Sequence, residues 1–407
     1  MTKQKIPIPD SLSQTGYLPQ EEMLAIMEKK SSLFIGIPKE TMFQENRVAL
    51  TPSSVATIVG RGHRVVIETG AGERSSFTDH DYSEAGADIA YSAEQVFKSN
   101  ILIKVAPPTL EEIDYFFPDQ VVISPIHLPT LTPEYIYKLR QKRVIALAME
   151  YIKDRSGAYP VVRTLSEIAG ITAILTAAKL LDNSGSGQGV LLGGISGVPP
   201  AKVIILGSGI VGEYAARSAL GLGAEVRIFD NNVYKLKRLQ REVGMRLFTS
   251  AIIPNVLEQE LKNAHVVIGA IHSEEGRSPV IVSEEMVARM RKGTVIIDVS
   301  IDQGGCFATS ELCSHDRPTF IKHDVIHYCV PNIASKVSRT ASTAISNIIA
   351  PMLLSAAKKG GIVAHLHQQV GFRHGVYTYK GCLTNHHLGQ RFGIKSTDIN
   401  LLLTSRL

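Results

Sequence analysis

Val203-Ile-Ile-Leu206 runs directly into Gly207-Ser208-Gly209-Ile210-Val211-Gly212, and the next apolar run, Glu225-Val-Arg-Ile-Phe229, closes on Asp230. An apolar strand, a glycine-rich turn, an apolar helical stretch (210–222), a second strand and a terminal acid, in that register, form the fingerprint of a dinucleotide site. Gly207 allows a tight turn, Gly209 carries no Cβ to obstruct a pyrophosphate, and Gly212 lets the helix lie close to the strand. The phosphates then rest on a helix N-terminus, where free N–H groups and the macrodipole favour negative charge. Asp230 at the end of the second strand suits a ribose 2′-OH and repels a 2′-phosphate, so the motif favours NAD over NADP. Lys235, Lys237 and Arg238 follow. A solvated helix face accounts for them, and Lys235 is kept among the cofactor-binding candidates.

Working outward, 407 residues exceed what one core organises, so two domains are expected. The composition is 44% hydrophobic and 20% charged, ordinary for a globular chain. A net charge of +5 is spread without a basic run, which gives nucleic-acid binding no support. No 18-residue apolar stretch and no signal-peptide pattern is seen, so a soluble cytoplasmic protein with no membrane partner is expected. Cys306, Cys313, Cys329 and Cys382 form no C-x-x-C pair, which points to reduced thiols. No histidine spacing suits a metal: His365 and His367 lie two apart, and His386 and His387 are adjacent.

The fold class that follows is α/β: two Rossmann-like, doubly wound parallel sheets with a cleft between them. Residues 1–32 read as an N-terminal extension with one amphipathic stretch at 21–29. Apolar strands at 33–37, 65–67, 101–105, 121–124 and 144–146 alternate with helical segments, one beginning at Thr51-Pro52 and one at a capping box, Ser92-Ala-Glu-Gln95. This substrate domain is expected to be discontinuous, 33–164 plus 337–407, around an NAD-binding domain at 165–336. Ser283 caps a helix in the latter. The glycine-rich stretch 185–197 reads as a hairpin or flexible loop, and 341–357 reads as a second interdomain helix.

Candidate chemistry sits at strand ends. Arg47, ahead of the helix cap, offers a planar fork for a carboxylate, against the alternative of a surface arginine. His127 follows Val121-Val-Ile-Ser-Pro-Ile126 and titrates in the range needed for proton exchange, against that of a solvated histidine. Asp302, in Asp298-Val-Ser-Ile-Asp302-Gln-Gly-Gly-Cys306, suits a developing cation or a water, against that of a turn carboxylate.

Pro38-Lys-Glu40, Asn46-Arg47-Val-Ala-Leu-Thr-Pro52, Ile126-His127-Leu128, Leu165-Ser-Glu-Ile-Ala-Gly170, Gly193-Gly194, Gly207 to Gly212, Ile301-Asp-Gln-Gly-Gly-Cys306, Tyr328-Cys-Val-Pro-Asn332 and Tyr379-Lys-Gly381 together resemble alanine dehydrogenases. That family is joined with the soluble subunit of proton-pumping nicotinamide nucleotide transhydrogenase. The resemblance runs from about residue 33 to residue 394. It implies reversible oxidative deamination of L-alanine to pyruvate and ammonia with NAD, in a homohexamer. It gives Arg47 the substrate carboxylate, His127 the proton on the substrate oxygen and Asp302 the attacking water or ammonia, and it puts Asn332 at the cofactor.

One position departs from the pattern. Alanine dehydrogenases carry Lys-x-Lys-Glu-Pro where this chain reads Lys104-Val-Ala106-Pro-Pro108, so the second, substrate-contacting lysine is Ala106. Side chains two apart on a strand share a face, and Lys104 is therefore expected to reach partway into the same cleft. Two alternatives follow from Ala106: a dehydrogenase for another amino or 2-oxo acid, or an NAD-binding regulatory protein with impaired catalysis.

Overall fold

A computed structural model describes residues 31–42, 44–273 and 276–404. The expected extension at 1–32 and its amphipathic stretch at 21–29 lie outside the described residues, apart from Ser31 and Ser32. The strands, in chain order, are β1 (Phe34–Ile37), β2 (Arg64–Glu68), β3 (Asp88–Ala90), β4 (Ile101–Ile103), β5 (Val121–Ser124), β6 (Ile145–Ala148), β7 (Lys202–Leu206) and β8 (Glu225–Phe229). They continue with β9 (Phe248–Ser250), β10 (Val266–Gly269), β11 (Val295–Asp298), β12 (Thr319–Lys322), β13 (Val325–Tyr328), β14 (Val376–Tyr379) and β15 (Cys382–Leu383).

Two sheets result. The first has eight strands in the order β15-β14-β6-β5-β4-β1-β2-β3, the second seven in the order β12-β13-β11-β10-β7-β8-β9. In the first sheet, β1 to β6 are mutually parallel and β14 and β15 add antiparallel pairs at one edge. In the second, only β12 is antiparallel, against β13. Both sheets therefore contain the 3-2-1-4-5-6 order of a doubly wound fold, and each has its switch point between the first and fourth strands.

Period-two burial explains why these runs are strands with both faces covered. Val203 and Ile205 join one core and Ile204 and Leu206 the other; Val266, Ile268, Val295 and Ile297 lie on the first side, Val267 and Ile296 on the second. The same alternation divides Ile101 and Ile103 from Leu102, and Val121 and Ile123 from Val122. Two long helices, Pro160–Leu180 and Ser338–Lys358, run between the sheets. By length and composition each is apolar enough to cross a membrane, yet about half of each is buried within the chain. After the second helix the chain returns to the first sheet as β14 and β15.

Local chemistry at the helix ends is mixed. Pro52 opens its helix, but Thr51 makes no side-chain cap; its backbone N–H is received by Ser346 Oγ at 2.9 Å. The expected box at Ser92 to Gln95 does not form, because Gln95 Oε1 takes the Tyr91 N–H and Ser92 makes no cap bond. Reciprocal boxes form instead at Thr78 with Asp81 and at Thr109 with Glu112. Ser283 caps as expected, accepting from the Met286 N–H. The stretch 185–197 is irregular, pinned by a bridge between Ile195 and Val198. All four cysteines are free.

Candidate active site

A cavity of about 650 Å³ opens between the sheets. Its walls are the segments that leave the carboxyl ends of strands: Arg47 after β1, Ala106 after β4, His127 after β5, Glu150 after β6, Gly209 to Val211 after β7, Ala270 to His272 after β10, Ser300 to Gln303 after β11, and Val330 to Ile333 after β13. Two facing switch points thus share one crevice, the position at which open α/β sheets hold ligands.

Arg47 is 7% exposed. Its Nε and Nη2 donate to Glu45 at 2.8 and 2.6 Å. Burial works against the guanidinium charge, but Glu45 outweighs it and holds Arg47 above its ordinary range; burial likewise opposes the Glu45 charge, and Arg47 carries that carboxyl below its usual range. A guanidinium has five N–H groups, so the Nη1 edge stays available to a second carboxylate. The loop bearing Arg47 is secured by a row of hydroxyls on and before the interdomain helix. Ser335, Ser342 and Ser346 accept the backbone N–H groups of Asn46, Val48 and Thr51 at 2.9 to 3.0 Å. Serines 342 and 346 lie one helical turn apart, which puts both acceptors on one face.

Lys104 is not brought to the cavity. It is 1% exposed, 2.9 Å from Glu112 Oε1 and 3.1 Å from Glu40 Oε2. Burial opposes its charge, and the two carboxylates carry its pKa above the ordinary lysine value. Two acids thus compete for the ammonium that was expected to reach substrate. Glu40, pushed up to about 7 by burial against the pull of Lys104, also takes the Val105 N–H at 2.7 Å. Ala106 does line the cavity, so the wall there carries no ammonium. Lys104→Met is expected to lower stability by about 3 kcal/mol or more by orphaning two buried carboxylates, while the KM for substrate stays put. The loss is larger at pH 8 than at pH 5. With its pKa raised, Glu40 holds a proton in the fold below about 7, and the neutral acid needs no cation. Thermal melts at both pH values, beside initial rates, check this.

His127 and Asp302 both line the cavity, and the Asp302 carboxyl feels the imidazole. His127 has φ 48° and ψ 68°, the left-handed region, and its Nδ1 pairs with Thr130 Oγ1 at 2.9 Å, leaving Nε2 for the cleft. Burial raises the Asp302 carboxyl, while the Asn332 N–H, His127 and Arg47 act to lower it. Asp302 keeps a solvent-accessible face although the cleft walls surround it. Its Oδ1 accepts the Asn332 N–H at 2.9 Å, and the Asn332 side-chain amide donates to Glu45 at 2.7 Å. Asn332, itself left-handed at φ 54°, therefore ties Asp302 to the Arg47 pair across the domain boundary. Asp298 is a structural turn carboxylate, receiving the Ser300 and Cys306 N–H groups and the Ser310 hydroxyl.

On the other wall the glycines fit a dinucleotide. Gly207 has φ +104°, and a Cβ there would meet Ala270 O at 2.4 Å; one on Gly212 would meet Gly207 O at 2.0 Å. At Gly209 a Cβ would enter open space beside the helix N-terminus, which is the volume a pyrophosphate needs. Ser208 is fully buried, and its N–H and hydroxyl both donate to Asp230 Oδ2 at 2.7 Å. Asp230 Oδ1 takes the Asn232 N–H at 2.7 Å. Ile210, Val211 and Lys235 line the cavity. Among the described residues no group of His, Cys, Asp or Glu is arranged to hold a metal.

Residue-by-residue reading missed Glu45, Glu150 and His315 as cavity-wall groups. Glu45 abuts Asn46-Arg47 but matches no spacing rule, Glu150 lies beside no motif, and His315 reaches the cavity only because 313–315 folds over it. The serine row was missed as well: nothing in the spacing of Ser335, Ser342 and Ser346 names the backbone they meet.

Residues 36–169 match the model of the Alanine dehydrogenase/PNT N-terminal domain and residues 173–386 that of the Alanine dehydrogenase/PNT C-terminal domain. The chain is 40% identical over 366 residues to alanine dehydrogenase 2 of Staphylococcus aureus (strain USA300), covering 90% of this chain and 98% of that protein. A solved L-alanine dehydrogenase superposes with a TM-score of 0.83 at 37% identity, over 89% of this chain and 99% of that one. A transhydrogenase from Sinorhizobium meliloti shares the fold, with a TM-score of 0.74 at 23% identity over 86% and 99% of the two chains. With both domains matched in order around a shared cleft, the chain belongs to the alanine dehydrogenase/PNT family.

Proposed function

We propose that this protein catalyses the reversible, NAD-dependent oxidative deamination of L-alanine to pyruvate and ammonia. The observation that carries the reading is the convergence of Arg47, His127 and Asp302 on the cavity that Gly209 to Val211 also line. When bound along that glycine turn, NAD supplies the hydride acceptor. Gly207, Ser208, Gly209, Gly212 and Asp230 would hold it, with Lys235 and Asn332 beside the same crevice.

The free Nη1 edge of Arg47 takes the substrate carboxylate, and Glu45 keeps the fork oriented. Once Cα has given up its hydride, the substrate carries an iminium, and the Asp302 carboxylate faces that charge and directs a water onto the carbon. His127, free at Nε2, accepts the proton of the attacking water and passes one to the departing amine. In reverse, the same imidazole protonates the pyruvate oxygen while Asp302 directs ammonia.

Ala106 on the wall favours a second reading, a dehydrogenase for a different amino or 2-oxo acid, because fold does not fix substrate. One experiment separates them: NADH oxidation with ammonium and pyruvate, glyoxylate or longer 2-oxo acids, with NADPH in parallel. Fastest turnover of pyruvate with NADH is expected. Poor turnover of pyruvate beside rapid turnover of another acid selects the second reading, and NADH binding without turnover of any acid rejects both.

A further inference from the structure

Glu150 is a half-buried titratable group that the mechanism above leaves unused. It follows β6, lines the cavity, and lies in register with the segment after β5, since Ser124 pairs with Ala148. Its Oε1 accepts the Ile126 N–H at 2.8 Å, while Oε2 is buried and has no hydrogen-bond partner among the described residues. The next residue, His127, holds left-handed backbone angles that a residue with a Cβ adopts only under constraint from its surroundings. Thr130 fixes the far side of the imidazole through Nδ1, but the backbone entering His127 needs an anchor of its own.

We propose that Glu150 is a positioning residue for the reaction proposed above: from the cavity wall it grips the backbone of Ile126, where the chain enters His127, and so keeps the imidazole aimed into the cleft. Burial pushes Glu150 up to about 7, and the N–H groups of Ile126, Glu150 and His127 pull it back. No side-chain cation appears among those influences. The Tyr135 and Tyr377 hydroxyls, on the helix Pro133–Gln141 and on β14, both feel its charge. The carboxyl therefore acts as a backbone acceptor inside the wall, and its grip needs one oxygen, not a negative charge.

That distinction sets the test. Glu150→Gln retains the oxygen facing Ile126 and places its amide nitrogen where no donor points; Glu150→Ala removes the acceptor. In NADH oxidation with ammonium and the 2-oxo acid that the wild type prefers, Glu150→Ala is expected to lose about tenfold or more in kcat with KM within about threefold, because Arg47 still takes the carboxylate. Glu150→Gln is expected to stay within about threefold of wild type in both, and NADH binds all three alike. Equal losses in the two variants, or no loss in Glu150→Ala, overturn the proposal. If the wild type turns over no 2-oxo acid, the reading of function fails by itself. The crystal structure of Glu150→Ala then decides the positioning role: His127 displaced from its left-handed backbone supports it, and His127 unmoved rejects it.

Discussion

Arg47→Lys is expected to raise the KM for pyruvate and for alanine and to cut kcat/KM by about a hundredfold or more, with NADH affinity unchanged. The shape of the cation is what matters. Arg47 serves Glu45 with Nε and Nη2 and keeps its Nη1 edge for ligand. A lysine ammonium is a compact point charge whose three donors cannot present two parallel pairs to two carboxylates. Lysine still neutralises Glu45, so the buried carboxylate is not stranded. Arg47→Ala would strand it, at about 3 to 5 kcal/mol of stability, and would confuse folding with binding. Initial rates across pyruvate concentrations, with NADH fluorescence titration beside them, check the expectation; a KM unchanged in Arg47→Lys assigns the carboxylate to another group.

Asp302→Asn is expected to lower kcat by about a thousandfold in both directions, within the range for loss of a preorganised charge that faces the transition state. Asparagine keeps an oxygen for the Asn332 N–H, so the link across the domains survives. Burial raises the pKa of the Asp302 carboxyl, which has two consequences of definite sign. The wild-type acid limb lies above the ordinary aspartate range, because activity needs the carboxylate and is lost as pH falls through the raised value. The fold binds the Asp302 proton more tightly than the unfolded chain, so this group's stabilising contribution is present at low pH and lost as pH rises through that value. At neutral pH the Asn variant should therefore melt no lower than wild type while losing turnover. A pH–rate profile and paired melts test this; a large fall in melting temperature would make Asp302 a structural residue.

The strands of both parallel sheets were legible where apolar residues run in sequence, as at 203–206 and 295–298, because burial on both faces demands such runs. The hairpin β12–β13 was not, since His323 and Asp324 make its tight turn at φ 54° and 59° in place of the usual Asn-Gly. The strand β14 was missed for a related reason: its sequence, Val-Tyr-Thr-Tyr, lacks the long aliphatic run, and it pairs antiparallel with β6. In the site, the glycines, Arg47, His127 and Asp302 were readable because each lies at a strand end with a recognisable neighbour. Lys104 was misplaced for a physical reason: strand alternation fixes which face a side chain leaves from, not which partner waits there, and Glu40 comes from a loop 64 residues before it and Glu112 from a short helix 8 residues after it. The serine row under Arg47 was invisible for the same reason, because its contacts span about 290 residues, and the Glu45–Arg47 pair because a two-residue spacing does not say that both side chains turn inward together.

If the glycine turn and the Arg47, His127 and Asp302 wall serve one reaction centre, hydride passes directly from the cofactor to the substrate carbon. Incubation with pyruvate, ammonium and NADH deuterated at nicotinamide C4, followed by mass spectrometry and proton NMR of the product, tests it directly. The expected product is L-alanine carrying a single deuterium at Cα. Cofactor bound, with no deuterium delivered to any amino acid, would contradict it.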